Sequence, residues 1–271
     1  MSKLMVGAIQ MQSRDDKQHN LSRAETLLDV AIERGAKLVA LPELFNFCGG
    51  PQLLRENAEP IPGPTVNMLC AKAKRSHVYI LGGLAESVNR AEKVFNTSVL
   101  IDPSGRIIAK YRKIHLFDVE IGGQVMIKET DAFEHGDKLV TAETDYGTVG
   151  LTICYDLRFP ELYRGLAIKG AEIIFVPSAF MAATGKDHWE PLLRARAIEN
   201  QVFIIAPNEI GPIPGTNMLR YGRSVIIDPW GTVLSQASDT EGVITAELDF
   251  DYLLRIRREL PSLTHRRLAG Y

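Results

Sequence analysis

Cysteine is scarce in this 271-residue chain: there are three, an odd number at irregular spacing, which excludes a disulfide framework and fits a reducing compartment. An excess of one charge is missing as well. Lys and Arg total 31 against 33 Asp and Glu, a net charge of −2, so there is no basic field to attract nucleic acid. Long apolar runs are absent, so no segment is expected to cross a membrane. Met1 to Gly7 enters a short strand and lacks the apolar stretch and cleavage site of a signal peptide. No cluster has the spacing of zinc ligands. The expected setting is the cytoplasm, where Asn96-Thr97-Ser98 reads as strand rather than as a glycan acceptor. The rest of the composition, 45% apolar and 24% charged, is ordinary for a globular protein with ample length for a core. We read residues 1–271 as a single domain.

The composition hides a repeat. Arg34-Gly35-Ala36-Lys37-Leu38-Val39-Ala40-Leu41-Pro42-Glu43-Leu44-Phe45 returns as Lys169-Gly170-Ala171-Glu172-Ile173-Ile174-Phe175-Val176-Pro177-Ser178-Ala179-Phe180, with glycine, proline and the last phenylalanine in register. Each copy is a helix stop at glycine, then a short apolar strand ended by proline. Upstream, Val6 to Met11 resembles Val149 to Cys154; downstream, the turn Ile101 to Gly105 is echoed by Ile227 to Gly231. Each half therefore reads strand, helix, strand, helix, strand, hairpin. Helices are expected near Leu21 to Arg34 with Asn20 as N-cap, Pro64 to Ser76, Pro160 to Lys169, and His188 to Asn200. Strands that are continuously apolar need cover on both faces. Two such sheets packed face to face give a four-layer α-β-β-α sandwich of two similar halves. A three-layer doubly wound sheet shares the alternation but leaves the duplicated hairpins unexplained.

The halves differ where chemistry would be installed. Cys154 stands where the first half has Met11, and Glu43 stands where the second has Ser178. Both close a strand, the edge at which open α/β sheets keep their ligand sites. A thiol on a turn into a helix is mounted as a nucleophile would be, although a lone cysteine is also a common apolar filler. A carboxylate after an apolar strand, followed by Leu44, Phe45 and Phe47, is expected to hold a raised pKa and act as a base, or else to be a solvated loop residue. Lys113, in Tyr111-Arg112-Lys113-Ile114-His115-Leu116, could supply positive charge to an oxyanion or be a surface cation. His115 competes with Glu43 as base for Cys154, but nothing near it in sequence suggests a residue to orient its ring.

With these residues in place the chain resembles the carbon-nitrogen hydrolase family, the nitrilase superfamily, over essentially its full length. The resemblance rests on Leu41-Pro42-Glu43-Leu44-Phe45, on Tyr111 to Asp118, and on Gly150-Leu151-Thr152-Ile153-Cys154-Tyr155-Asp156-Leu157-Arg158-Phe159-Pro160-Glu161-Leu162. It implies the same sandwich, with Glu43 as general base, Lys113 and the Tyr155 backbone N–H as oxyanion donors, and Cys154 as nucleophile of a thioester mechanism without metal or cofactor. A fourth site residue falls on Glu129, with Glu120 and Glu134 in the same loop. Tyr155-Asp156 is similar to the amidase branches rather than the Trp-Glu of true nitrilases. The longer pattern looks like the omega-amidases and deaminated-glutathione amidases, so the implied substrate is a small amide bearing a carboxylate. Carbamoyl or nitrile hydrolysis with the same residues, or a silent binding protein on this fold, are the other readings. Arg158 would grip the substrate carboxylate, or else pair with Asp156 or Glu161. Asn208 to Asn217 is expected as a loop on the cleft rim, and Cys48 and Cys70 as structural. The resemblance also implies a homodimer or higher homo-oligomer.

Overall fold

Each half of the chain builds one sheet, and the last strand crosses back to join the first of them. The computed structural model describes residues 3–88, 92–122 and 125–267, so Met1 and Ser2, read above with the first strand, lie outside the described residues. The first half runs β1 (Lys3–Gln10), α1 (Lys17–Glu33), β2 (Leu38–Ala40), α2 (Pro51–Glu56), α3 (Pro64–Ser76), β3 (Tyr79–Glu86), β4 (Val94–Ile101) and β5 (Ile107–Arg112). A connecting segment carries β6 (Asp118–Ile121), β7 (Val125–Lys128) and β8 (Phe133–Glu134). The second half runs β9 (Thr141–Thr144), β10 (Gly147–Leu151), α4 (Pro160–Ile168), β11 (Ile173–Phe175), α5 (Ala182–Asn200), β12 (Phe203–Ala206), β13 (Ile210–Pro212), β14 (Leu219–Tyr221), β15 (Val225–Ile227) and β16 (Val233–Gln236). The chain then returns through β17 (Gly242–Asp249) to α6 (Phe250–Glu259).

The sheets have matching orders, β17-β1-β2-β3-β4-β5 and β16-β15-β12-β11-β10-β9. In each, three parallel strands are followed by an antiparallel hairpin. The two hairpin turns are built alike. Asp102 and Asp228 each accept two backbone N–H groups through one side-chain oxygen, from Ser104 and Arg106 and from Trp230 and Thr232. Gly105 and Gly231 take φ of 83° and 87°, a left-handed conformation that costs glycine little.

Alternation along the strands separates the layers. Leu4, Val6 and Ala8 of β1 share a core with Val149 and Leu151 of β10, whereas Ile9, Val39 and Ile80 face the other way, onto Leu27, Leu28 and Ala31 of α1 and Val66 and Leu69 of α3. A Cβ on Gly7 would lie 3.3 Å from that of Ala31, and one on Gly150 would lie 3.1 Å from the Leu166 side chain of α4, so helices sit close against the outer faces. The result is the α-β-β-α sandwich. Each fully buried aliphatic side chain contributes about 1.5–3 kcal/mol, which makes the sheet-to-sheet core the main source of stability.

Three local expectations are corrected. Helix α1 starts at Lys17, capped by Asp16, which accepts the His19 N–H at 3.0 Å; Asn20 is buried and ties the backbone of Arg14 and Asn46. Helix α5 begins at Ala182 rather than near His188 and continues across Pro191, held by buried Trp189, Leu193 and Ala197. The 208–217 segment is not a plain loop, because β13 and β14 pair as a hairpin.

Candidate active site

The ends of the strands carry the chemistry. Beyond β10, the Thr152 N–H bonds Phe175 O and the Cys154 N–H bonds Pro177 O at 3.0 Å, prolonging the pairing with the segment after β11. Cys154 then opens a 3₁₀ turn that ends at Arg158. Its φ is 48°, a left-handed conformation that costs a side-chain-bearing residue on the order of 1 kcal/mol and turns the thiol out of the strand. Beyond β2, Glu43 is followed by Leu44 with φ 49°. Lys113 directly follows β5; its N–H bonds Asn96 O and its carbonyl accepts the Gly136 N–H, both at 2.8 Å. Glu129 opens a short 3₁₀ turn after β7.

These side chains converge. Lys113 Nζ lies 2.9 Å from Glu43 Oε1 and 2.9 Å from Glu129 Oε1. Glu43 Oε1 also accepts from Asn96 Nδ2 at 2.7 Å, and its Oε2 accepts the Ala179 N–H at 2.8 Å. Glu129 Oε2 accepts the Phe117 N–H at 2.7 Å. Of the three glutamates in that segment, Glu129 is the one on Lys113; Glu134 is half-exposed, with His135 as its neighbour. Lys113 is 1% exposed, Glu43 4% and Cys154 8%. Burial pushes the Cys154 thiol well above its ordinary value, and the Glu43 carboxylate adds to this against the opposing Lys113 ammonium. Burial would also raise Glu43, but the Lys113 charge and hydrogen bonds from Lys113, Cys154 and Asn96 overcome it and hold Glu43 below the usual carboxylate value. The expected raised pKa for Glu43 is therefore wrong, because its cation is supplied from 70 residues away. Burial acts to lower Lys113, yet Glu129 and Glu43 keep it well above its ordinary value; burial, with the Glu43 charge, raises Glu129.

A family model for carbon-nitrogen hydrolases matches residues 5–258. The chain belongs to the carbon-nitrogen hydrolase family. A deaminated glutathione amidase from Synechocystis sp. is 43% identical to this hydrolase over 270 residues, 98% of this chain and 99% of that protein. The human omega-amidase NIT2 is 36% identical over 271 residues, 100% of this chain and 98% of that protein. Among solved structures, Saccharomyces cerevisiae Nit3, of branch 10 of the nitrilase superfamily, superposes with a TM-score of 0.89 at 33% identity, covering 98% of this chain and 97% of that chain. The C. elegans NitFhit protein gives 0.92 at 35% identity, covering 98% of this chain and 66% of that longer one. The sandwich is thus the fold of this hydrolase family.

In this hydrolase Glu43, Lys113, Glu129 and Cys154 line a cavity of about 780 Å³, with Tyr155 and Arg158 on its wall. Among the described residues the Tyr155 N–H has no protein acceptor. Arg158 pairs with neither Asp156 nor Glu161: its Nη1 lies 3.3 Å from His188 Nδ1 and its guanidinium stands over the Phe180 and Tyr155 rings. His115 is not on the cavity wall; it stacks on Phe159 and its Nδ1 lies 2.7 Å from Asp156, so a residue orienting the ring exists after all. Cys48 also lines the cavity, with Arg220 Nη2 2.7 Å from its sulfur, so it is more than a remote core residue. Sequence reading missed Asn96, the Ala179 N–H, and the Arg220–Glu209–Ser13 cluster beside Cys48, in which burial pushes Glu209 up to about 7 despite Arg220 at 2.9 Å. Asn96 gave one signal, a polar residue within a buried strand; the others meet partners too distant in sequence to signal each other. Among the described residues no group of His, Cys, Asp and Glu could hold a metal.

Proposed function

We propose that this carbon-nitrogen hydrolase is a cysteine amidase that hydrolyses the terminal amide of a small carboxylate-bearing compound, releasing ammonia. The observation that carries the reading is a neutral thiol and an ionised glutamate meeting on one cavity wall beside a lysine held between two carboxylates. As Cys154 Sγ attacks the amide carbon, Glu43 takes the thiol proton. An ammonium has three donors; Glu43 and Glu129 occupy two on Lys113, leaving the third for the oxyanion together with the Tyr155 N–H. Collapse breaks the C–N bond, Glu43 returns its proton to the departing nitrogen, and a thioester remains. Water then gives a proton to Glu43 as it attacks the thioester carbon; the C–S bond breaks, the acid leaves, and Glu43 passes that proton to the sulfur, restoring the resting state. Glu129, fixed by the Phe117 N–H, orients Lys113. Arg158, without a carboxylate partner among the described residues, offers two parallel donors to a substrate carboxylate. The similarity to proteins named deaminated glutathione amidase and omega-amidase supports this substrate class.

The same proposal includes a cytoplasmic setting, supported by three free cysteines, and assembly into a homo-oligomer, supported by exposed Ile198 and Trp230 on the second half. No described helix is long and apolar enough to cross a membrane.

Ammonia release from terminal amides of short dicarboxylic acids, neutral amides, carbamoyl compounds and nitriles tests the reading. Carboxylate-bearing amides should be hydrolysed, Cys154→Ala should abolish release, and Arg158→Ala should raise KM about 10- to 100-fold for these substrates alone. Activity confined to nitriles or carbamoyl compounds, or undiminished in Cys154→Ala, would sink it.

A further inference from the structure

Asp156 sits in the middle of the turn that Cys154 opens. It is fully buried, and no Lys or Arg is paired with it among the described residues. A buried carboxyl group with no paired cation has to be offset by its hydrogen bonds. Oδ2 accepts the Ile153 N–H at 2.9 Å and the Tyr111 hydroxyl at 2.6 Å; Oδ1 accepts the His115 N–H at 3.1 Å and lies 2.7 Å from His115 Nδ1. The Tyr111 oxygen in turn accepts the Ile114 N–H at 3.3 Å.

These partners fall into two groups. Ile153 precedes the nucleophile, and its link to Asp156 braces the turn in which Cys154 takes a φ of 48° and Tyr155 presents its N–H. Tyr111, Ile114 and His115 flank Lys113 on the other sheet's side of the molecule. The backbone bonds of Lys113 to Asn96 and Gly136 hold it on its own side, and its side chain reaches the second half through Glu43, which accepts the Ala179 N–H. The packed sheet faces between the halves are largely apolar, and apolar contact is not directional, so polar links have to set one side of the site against the other. Among those links Asp156 bonds the segments next to both Lys113 and Tyr155.

The geometry points to Asp156 as a positioning residue that sets the separation of the two oxyanion donors, Lys113 Nζ and the Tyr155 N–H. Asp156 touches neither substrate nor thiol and acts through the segments on either side. This rests on the amidase reading above. A misplacement of the donors by about 1 Å costs on the order of 100-fold in rate. Binding of groups away from the carbonyl is untouched.

Three quantities in Asp156→Asn and the milder Tyr111→Phe test it, with a terminal amide of a short dicarboxylic acid as substrate. They are kcat/KM, affinity for the matching semialdehyde, which adds to Cys154 as an oxyanion-bearing hemithioacetal, and affinity for the diacid product. The expected result is a fall in kcat/KM of about 100-fold in Asp156→Asn and about 10-fold in Tyr111→Phe. Aldehyde affinity should fall in parallel, with product affinity within about 3-fold of wild type. Aldehyde affinity retained while rate is lost, or full rates with only a lower melting temperature, would overturn the assignment. If Asp156→Asn does not fold, Tyr111→Phe gives the same reading. A wild-type protein that neither turns over the amide nor binds the aldehyde would instead overturn the amidase proposal.

Discussion

Cys154 and Glu43 are pushed in opposite directions by the same surroundings, because burial raises both while the Lys113 charge lowers both, and Lys113 wins only at Glu43. The resting proton therefore sits on sulfur and the carboxylate is empty, which is the arrangement the proposed mechanism needs. A base with a lowered pKa stays ionised as pH falls through 4.5, so kcat/KM should be flat from about pH 6 to 8. Turnover lost in His115→Ala but kept in Glu43→Gln would hand the base role to His115. Glu43→Gln should abolish turnover across the whole range. Cys154 and Glu43 were legible as candidates because each closes an apolar strand, and Lys113 because it directly follows the last strand of a hairpin. The electrostatic state of Glu43 was not, since it depends on Lys113, and neither was the orientation of His115, which depends on a residue 41 positions away.

At the level of elements, the strand leading to Lys113 is anchored by Glu86 at the end of β3. Its Oε1 accepts from Lys110 Nζ at 2.8 Å and Arg112 Nη2 at 2.9 Å, and its Oε2 from Arg112 Nε at 2.8 Å and Thr97 Oγ1 at 2.9 Å. Burial opposes ionisation, but these bonds bring Glu86 down to about 2. A depressed carboxylate contributes stability that is complete above its unfolded value of 4.5 and is lost as pH falls through about 2. With its cationic partners partly exposed, that contribution is about 2 kcal/mol at neutral pH. Urea unfolding of Glu86→Gln should show this deficit at pH 7, shrinking toward zero as pH is lowered; a deficit independent of pH would refute the electrostatic account. Helix α3 was readable to its ends from Pro64 and Ser76. The start of α5 was not, because Gly185 in its early turns reads as a break, and its close packing on Tyr221 is not displayed by the local sequence.

Over the whole molecule, the internal repeat made the layered architecture legible, since two equal sets of strands and hairpins demand two equal sheets. It gave no hint that β17 leaves its own half to lie beside β1, or that the segment from Asn208 pairs as a hairpin. The exposed Ile198 and Trp230 are the apolar face on which the proposed assembly would close. Light scattering should return at least twice the 30.1 kDa of one chain, and a monomeric mass over the working concentration range would refute the assembly.

The paired turns at Asp102 and Asp228 show how closely the halves still correspond, yet the positions matching Cys154 and Glu43 hold Met11 and Ser178, both sealed from solvent. Ser178 turns its hydroxyl onto the Val176 carbonyl. The proposed centre thus draws one residue from each half, Glu43 from the first and Cys154 from the second, while their counterparts Met11 and Ser178 lie in the interior.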